Sequence, residues 1–266
     1  MPKLSKSEIE TYQNKGYVIP DYKVPENVLR SLKEALEETL NINANIRPEQ
    51  LASIHTEKSS ADDTVGHSTF LKTALNSELV DLVSSVLGDN IIMWGVQVFC
   101  KPGVDGMEVP MHQDGQYWPI RPLATCTVWL AIDDATEENG CLKFIKGSHR
   151  DKKLKKHEFN KTENLTLHQE LLKTEYNEDD SVNLILNRGQ ISLHDVYLVH
   201  GSEANFSPKS RRGMTMRFMP TTSVFDHKLA REKYNNLNAS KYSDRKIYHA
   251  RGIDISKKNI LHYTNM

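Results

Sequence analysis

Two periodicities divide the chain: apolar residues recur at helical spacing up to about residue 90 and alternate beyond it. Ser5 and Glu8 stand at capping-box spacing, where each side chain satisfies a free backbone N–H of a first turn, and a short helix to about Asn14 is predicted before Lys15-Gly16 ends it. Tyr17-Val18-Ile19 predicts a short strand. From Pro25 onward, Val28, Leu29, Leu32, Leu36 and Leu40 fall on one helical face, with Lys33, Glu34, Glu37 and Glu38 opposite, so an amphipathic helix is expected. Residues 42 to 69 are polar and aperiodic, with Ser59, Ser60, Asp62 and Asp63 among them, and predict a long loop of the kind that carries function. A further helix gathers Leu79, Leu82, Val83, Val86 and Leu87 before Gly88-Asp89-Asn90 stops it.

The period then changes to two. Ile91 to Cys100 is rich in strand formers, and Ala124 to Ile132 sets Ala124, Cys126, Val128, Leu130 and Ile132 against Thr125, Thr127, Trp129 and Ala131. Strands are also predicted at 142–146, 182–186, 190–194, 197–201 and 211–219. Between them, Lys152 to Asp180 is charged and reads as a solvated insertion or a helix on the surface of the core. Phe225 to Met266 reads as a polar tail with a helical basic group, Lys228, Arg231 and Lys233. No repeat or low-complexity linker interrupts the chain. One domain over 1–266 is expected: helical support over 1–90, a β core over 91–220 and a tail over 221–266.

Composition narrows the functional classes. The 266 residues include 34 Lys+Arg and 35 Asp+Glu, a formal charge of −1, so no surplus of positive charge favours a nucleic-acid partner. No apolar run reaches the roughly 18 residues of a membrane span, and no apolar signal region follows the start. Three cysteines, Cys100, Cys126 and Cys141, suit reduced thiols better than a disulfide framework, so a cytoplasmic location is expected. Oligomeric state is not readable.

The densest chemistry is Met111-His112-Gln113-Asp114-Gly115. Residues i and i+2 of an extended segment point the same way, so His112 and Asp114 can offer a nitrogen and an oxygen to one metal ion. A His-x-Asp pair alone is commonplace among surface residues. His200, read at the end of an apolar strand, would complete two histidines and a carboxylate, the set that leaves three adjacent positions open on an octahedral ion and suits non-haem Fe(II) oxygenases. Arg211, eleven residues after His200, lies on the polar face of its strand with Gly213, Thr215 and Arg217, beside the metal strand on this reading. It can hold a carboxylate bidentately, and Arg212 is the competing residue, placed by alternation on the apolar face. Tyr117, Trp118 and Arg121 follow the ligand pair and are expected at the mouth of the site, two rings to clamp a substrate and a guanidinium to pair with an anion. The plainer alternative is that Trp118 and Pro119 pack the loop. Arg251 is a second expected anion contact.

Together, His112-Gln113-Asp114, the stretch from Asn139-Gly140-Cys141-Leu142 to Gly147-Ser148-His149, and His200-Gly201-Ser202 with arginine at plus eleven resemble the phytanoyl-CoA dioxygenase family of Fe(II)- and 2-oxoglutarate-dependent oxygenases. Tyr12 to Ile19 is similar to that family's opening motif. The resemblance implies a mainly β fold with flanking helices, a double-stranded β-helix of jelly-roll or cupin-like form behind a helical N-terminal region. It implies iron on His112, Asp114 and His200, with 2-oxoglutarate and O2 as cosubstrates. Arg211 would hold the distal carboxylate of 2-oxoglutarate with Ser202 nearby, Trp129 would stand beside it, and Gln97 is a further residue of this kind. His149 matches a structural turn histidine and is left out of the metal site. Related halogenases carry a small residue in place of the carboxylate, so Asp114 implies hydroxylation, with release of succinate and CO2. Bacterial relatives with a similar His-Gln-Asp-Gly-x-Tyr-Trp-Pro segment include hydroxylases of 2-aminoethylphosphonate, which implies a small anionic substrate. Phytanoyl-CoA is less expected, because the chain ends Tyr263-Thr264-Asn265-Met266 without a peroxisomal address. The contrasting expectation is a non-catalytic small-molecule-binding protein, or a cupin-like protein holding another metal.

Overall fold

The computed structural model describes residues 2–56, 64–237 and 242–264. The chain opens with α1 (Lys6–Lys15), β1 (Tyr17–Val18), α2 (Glu26–Ile42), α3 (Ser68–Ala74) and α4 (Ser77–Leu87). There follow β2 (Ile91–Lys101), β3 (Val109–His112), β4 (Ile120–Arg121), β5 (Cys126–Ala131), β6 (Leu142–Ile145), β7 (His157–Phe159) and β8 (Gln169–Leu171). Then come β9 (Ser181–Leu184), β10 (Ile191–Asp195), β11 (His200–Ser202), β12 (Arg211–Pro220), β13 (Val224–Phe225), α5 (His227–Leu237), β14 (Ile247–Arg251) and β15 (Leu261–His262).

The capping box forms as expected. Ser5 Oγ accepts from the Glu8 N–H and the Glu8 carboxylate accepts from the Ser5 N–H at 2.7 Å. At the other end of α1, Gly16 adopts φ +86°, and a Cβ there would lie 2.6 Å from His149 Nδ1. His149 is thus a packing residue against the first helix, its Nε2 at 3.0 Å from the Gln13 carbonyl.

Seven strands form one sheet in the order β1-β10-β5-β12-β2-β14-β15, and four form a second in the order β3-β11-β6-β9. The fold is mainly β, a jelly roll with flanking helices; β4–β13 and β7–β8 form two further two-stranded sheets, and among the described residues the two large sheets are not hydrogen-bonded into a closed barrel. The outer face of the large sheet, with Val128, Leu130, Leu193, Met214, Met216 and Phe218, shares one apolar core with Leu29, Leu32 and Leu36 of α2 and Leu79, Leu82 and Val83 of α4. Its inner face carries Gln97, Thr127, Trp129, His194, Arg211, Thr215 and Arg217, which line a cavity between the sheets. Both faces are buried, so the alternation read from the sequence separates a helix-covered core from a polar interior.

Five expectations change. The loop predicted over 42–69 ends in α3, whose seven residues are too few to show a period; its described part buries Leu51, Ala52 and Ile54, and its residues 57–63 lie outside the described structure. The strand predicted over 197–201 begins only at His200, because Val196, Leu198 and Val199 are buried in a turn, closed by Leu198 N–H to Asp195 O at 3.0 Å, and burial mimics a strand. The stretch Lys152–Asp180 is a largely exposed insertion, one of the two expected forms, but in place of a helix it forms the β7–β8 hairpin and brings Thr166, Leu167 and His168 to the cavity. The polar tail contains the predicted helix, α5, but also β14, which pairs with β2 and extends the large sheet. Finally, β12 is not beside the metal strand. Its neighbours are β2 and β5, so Arg211 faces β11 across the cavity from the opposite sheet.

Candidate metal centre

The backbone register brings the two histidines together. His112 ends β3, His200 opens β11, and the two are direct antiparallel partners with ring centroids 4.3 Å apart. Each imidazole is fixed the same way: His112 Nδ1 lies 2.9 Å from Pro110 O, and His200 Nδ1 lies 2.9 Å from Leu198 O. A proton on each Nδ1 leaves the Nε2 lone pair free for a metal. Gln113 is extended, so Asp114 turns to the side of His112 before the chain enters a short 3-10 turn. Asp114 Oδ1 is 3.7 Å from His112 Nε2, and Oδ2 is 3.9 Å from His200 Nε2. The three donor atoms lie within 4.8 Å of one another and all three residues are buried.

Charge at the centre favours a cation. Burial alone would raise the Asp114 carboxyl, yet His112, His194, His200 and Arg217 around it hold it well below the usual carboxylate range. Burial, with His112 beside it, pushes His200 down to about 3, which keeps it in the neutral form that ligation requires. The donor set therefore fits a divalent metal. Gln113, between the two ligands, is fully buried and fastens the insertion to the centre: its Nε2 donates to Tyr197 O at 2.7 Å and Lys153 O at 3.1 Å, and its Oε1 accepts from the Lys155 N–H at 2.7 Å.

Behind the triad the cavity is cationic. Arg211 is 1% exposed and lines it with Nε unpartnered, Nη1 3.4 Å from Phe99 O and the guanidinium 5.5 Å from the Trp129 ring centroid. Ser202 Oγ lines the same cavity and is also unpartnered. Opposite Arg211 in register stands Lys101, whose ammonium donates to Ser202 O at 3.2 Å and to Glu203 O; burial and the Arg211 charge push it down to about 6. Among the described residues neither Arg211 nor Lys101 forms an ion pair. The unpartnered Arg211 Nε and Ser202 Oγ fit a carboxylate-bearing cosubstrate. Arg212 points out of the cavity and is claimed by Asp133, at 2.6 and 2.8 Å, so alternation distinguishes the two arginines correctly.

Gln97 faces the cavity and accepts from Arg217 Nη1 at 3.1 Å. Tyr117 and Trp118 also line it. The Tyr117 hydroxyl donates to Gln169 O at 3.2 Å, while Trp118 packs edge-on against Trp94 with centroids 4.6 Å apart, so Trp118 packs its loop, as the plainer expectation had it, and also faces the cavity. Two expected anion contacts are not at the cavity. Arg121 turns back on its own loop, donating to Ile120 O at 2.6 Å. Arg251 is held by Asp81 of α4, a buried carboxylate that needs a cation.

The residues that sequence reasoning missed are His194, Arg217, Lys101, Tyr234 and Tyr242. His194 is buried, its Nε2 is 3.8 Å from Asp114 Oδ2, and neither ring nitrogen is hydrogen-bonded among the described residues. A signal existed for it: Ile191 and Leu193 are apolar, so alternation puts His194 on the inner face. Tyr234 and Tyr242 line the cavity from beyond β12, and no period pointed to them.

The profile of the family described as phytanoyl-CoA dioxygenase (PhyH) matches residues 12–213. A phytanoyl-CoA dioxygenase domain-containing protein 1 homolog of Dictyostelium discoideum is 32% identical over 170 residues, covering 61% of this chain and 60% of the relative. A phytanoyl-CoA dioxygenase of Arabidopsis thaliana is 24% identical over 253 residues, covering 80% of this chain and 88% of the relative. The first of these matches, like two nematode homologs, spans only about three fifths of the relative's length. Among solved structures, the non-heme monooxygenase ThoJ in its apo form superposes with TM-score 0.72 at 18% identity over 97% of this chain and 87% of its own. EctD from S. alaskensis with 2-oxoglutarate and 5-hydroxyectoine does so with TM-score 0.62 at 19% identity over 82% and 77%. At these identities the likeness concerns the fold.

Proposed function

The chain belongs to the phytanoyl-CoA dioxygenase family, and from that premise we propose that it is an Fe(II)- and 2-oxoglutarate-dependent dioxygenase that hydroxylates an unactivated C–H bond of a small anionic metabolite. The observation that carries this reading is the meeting of His112 Nε2, Asp114 and His200 Nε2 within 4.8 Å, with both Nδ1 atoms committed to carbonyls. Iron bound there would supply the position at which O2 is reduced at the expense of 2-oxoglutarate. The reaction balances as substrate, 2-oxoglutarate and O2 giving hydroxylated substrate, succinate and CO2, one oxygen atom entering the alcohol and one the succinate.

The remaining steps belong to side chains. Arg211 and Ser202 hold the distal carboxylate. Trp129 walls the cosubstrate at 5.5 Å from the Arg211 guanidinium. Tyr117 and Trp118 wall the substrate side, and the cavity of about 460 Å³ suits a small molecule beside the cosubstrate. A phosphonate such as 2-aminoethylphosphonate is the specific substrate we propose. A purely binding role is disfavoured, since it needs neither the triad nor buried cations without anions.

We further propose one catalytic domain over 1–266 and a cytoplasmic location. No helix among the described residues is long and apolar enough to cross a membrane. The direct test is oxygen-dependent succinate release on a panel of small anionic metabolites with product mass raised by one oxygen. Asp114→Ala is expected to abolish it; full turnover without that carboxylate would overturn the assignment.

A further inference from the structure

We infer that Arg217 is the receptor for an anionic group, a carboxylate or phosphonate, on the substrate. The inference rests on the oxygenase reading above and assigns the recognition that Arg121 and Arg251, turned elsewhere, do not supply. Arg217 shares the inner face of β12 with Arg211, is 4% exposed and lines the cavity. Of its five N–H donors, one reaches a neutral acceptor, Gln97 Oε1 at 3.1 Å, and Nε has no partner. No carboxylate among the described residues lies within 4.0 Å of it, and its guanidinium rests instead against the Trp118 and Trp94 rings, 5.2 and 5.7 Å from their centroids. A desolvated guanidinium with one neutral acceptor is unfavourable to the fold unless an anion arrives. Aromatic walls and a single amide orient its free edge, as a receptor for a planar or tetrahedral oxyanion requires.

The cosubstrate is not that anion. Arg211 and Arg217 are six residues apart on one strand, so their Cα atoms are separated by about 20 Å at roughly 3.3 Å per residue. A distal carboxylate held at Arg211 is therefore out of reach of Arg217. Among the described residues Arg217 has no ion-pair partner on this inner face, and an anionic substrate supplies one. Tyr234 and Tyr242 beside it bound the space for the rest of the molecule.

The test uses the full chain under anaerobic conditions with Fe(II) and saturating 2-oxoglutarate. Binding of methylphosphonate and of propionate is titrated by calorimetry against their uncharged counterparts, dimethyl methylphosphonate and propionamide. The expected result is that an anion binds at least tenfold more tightly than its neutral counterpart, the stronger anion naming the class. Arg217→Met should lose that preference. Arg217→Lys, which keeps the charge but not the fork, should retain part of it, and serves if the methionine variant fails a thermal-unfolding check. The affinity for 2-oxoglutarate should stay within about threefold in Arg217→Met and fall at least tenfold in Arg211→Met. Wild-type anion affinity in both Arg217 variants overturns the inference, as does loss of 2-oxoglutarate affinity in Arg217→Met equal to that in Arg211→Met. Failure of the wild type to bind 2-oxoglutarate at all refutes the oxygenase reading instead, and the same anion titration without cosubstrate then still reads Arg217.

Discussion

Arg211 and Arg212 are neighbours in the chain, and a strand's alternation sends one into the cavity and the other to Asp133 at 2.6 Å. The two should therefore respond differently to the same change. Arg211→Met is expected to raise the dissociation constant for 2-oxoglutarate at least tenfold with little loss of stability, since it also removes a buried unpaired charge. Arg212→Met should leave that constant within about twofold and lower stability by about 1–3 kcal/mol, because it removes the two charged hydrogen bonds to the half-buried Asp133 carboxylate, which keeps only the Arg212 N–H and the more distant Lys33. Thermal melts and anaerobic titrations distinguish the two. A second residue-scale expectation concerns pH. Burial, with the Arg245 charge beside it, pushes His55 down to about 3, whereas unfolded it titrates near its ordinary 6.5. Between those values the unfolded chain binds more protons than the folded one, so stability rises with pH across that window and levels off above it. The unfolding free energy from urea titration should fall by on the order of a few kcal/mol between pH 7 and pH 4, and His55→Gln should reduce that fall. At this scale the sequence was most legible where a residue's role is set by its neighbours in the chain: the capping pair Ser5 and Glu8, the His112/Asp114 pair and the choice between Arg211 and Arg212. Arg121 and Arg251 were misjudged because a free guanidinium and one paired to Asp81 look alike in sequence.

At the scale of elements, β12 organises the site: its outer face seats Met214, Met216 and Phe218 against the helices and its inner face presents the two buried arginines. Gly213 between them is needed for space, since a Cβ there would lie 2.2 Å from the Trp129 ring. Gly213→Ala should displace Trp129 and weaken 2-oxoglutarate binding several-fold while metal binding is retained; tryptophan fluorescence and the two titrations check it. The helices are legible because their function is to cover that outer face. Leu32 and Leu36 are fully buried, and Leu32→Ala is expected to cost about 2–5 kcal/mol by denaturant unfolding without moving metal affinity. The β7–β8 hairpin was not legible, as its charged strands are short and what ties it to the centre is distant in sequence: the Gln113 N–H donates to His157 Nε2 at 3.2 Å and the Tyr117 hydroxyl to Gln169 O at 3.2 Å.

At the scale of the whole molecule, the helical front and alternating core follow from the change of period near residue 90, whereas sheet order does not. The pairing of His112 with His200 is a register between segments 88 residues apart, which no local pattern encodes. The same holds for β14, read as tail and found beside β2. What composition left as near-neutrality becomes specific in the fold: Lys101, Arg211 and Arg217 are concentrated on one interior face, without ion pairs among the described residues. This interior is expected to hold iron and 2-oxoglutarate together. Anaerobic titration of the Fe(II)-loaded protein with 2-oxoglutarate, followed by visible absorption, tests that pairing. A weak charge-transfer band should appear that saturates at one equivalent, is absent in Asp114→Ala and needs far more 2-oxoglutarate in Arg211→Met. A wild-type protein that shows no such band and releases no succinate when oxygen is admitted would contradict it.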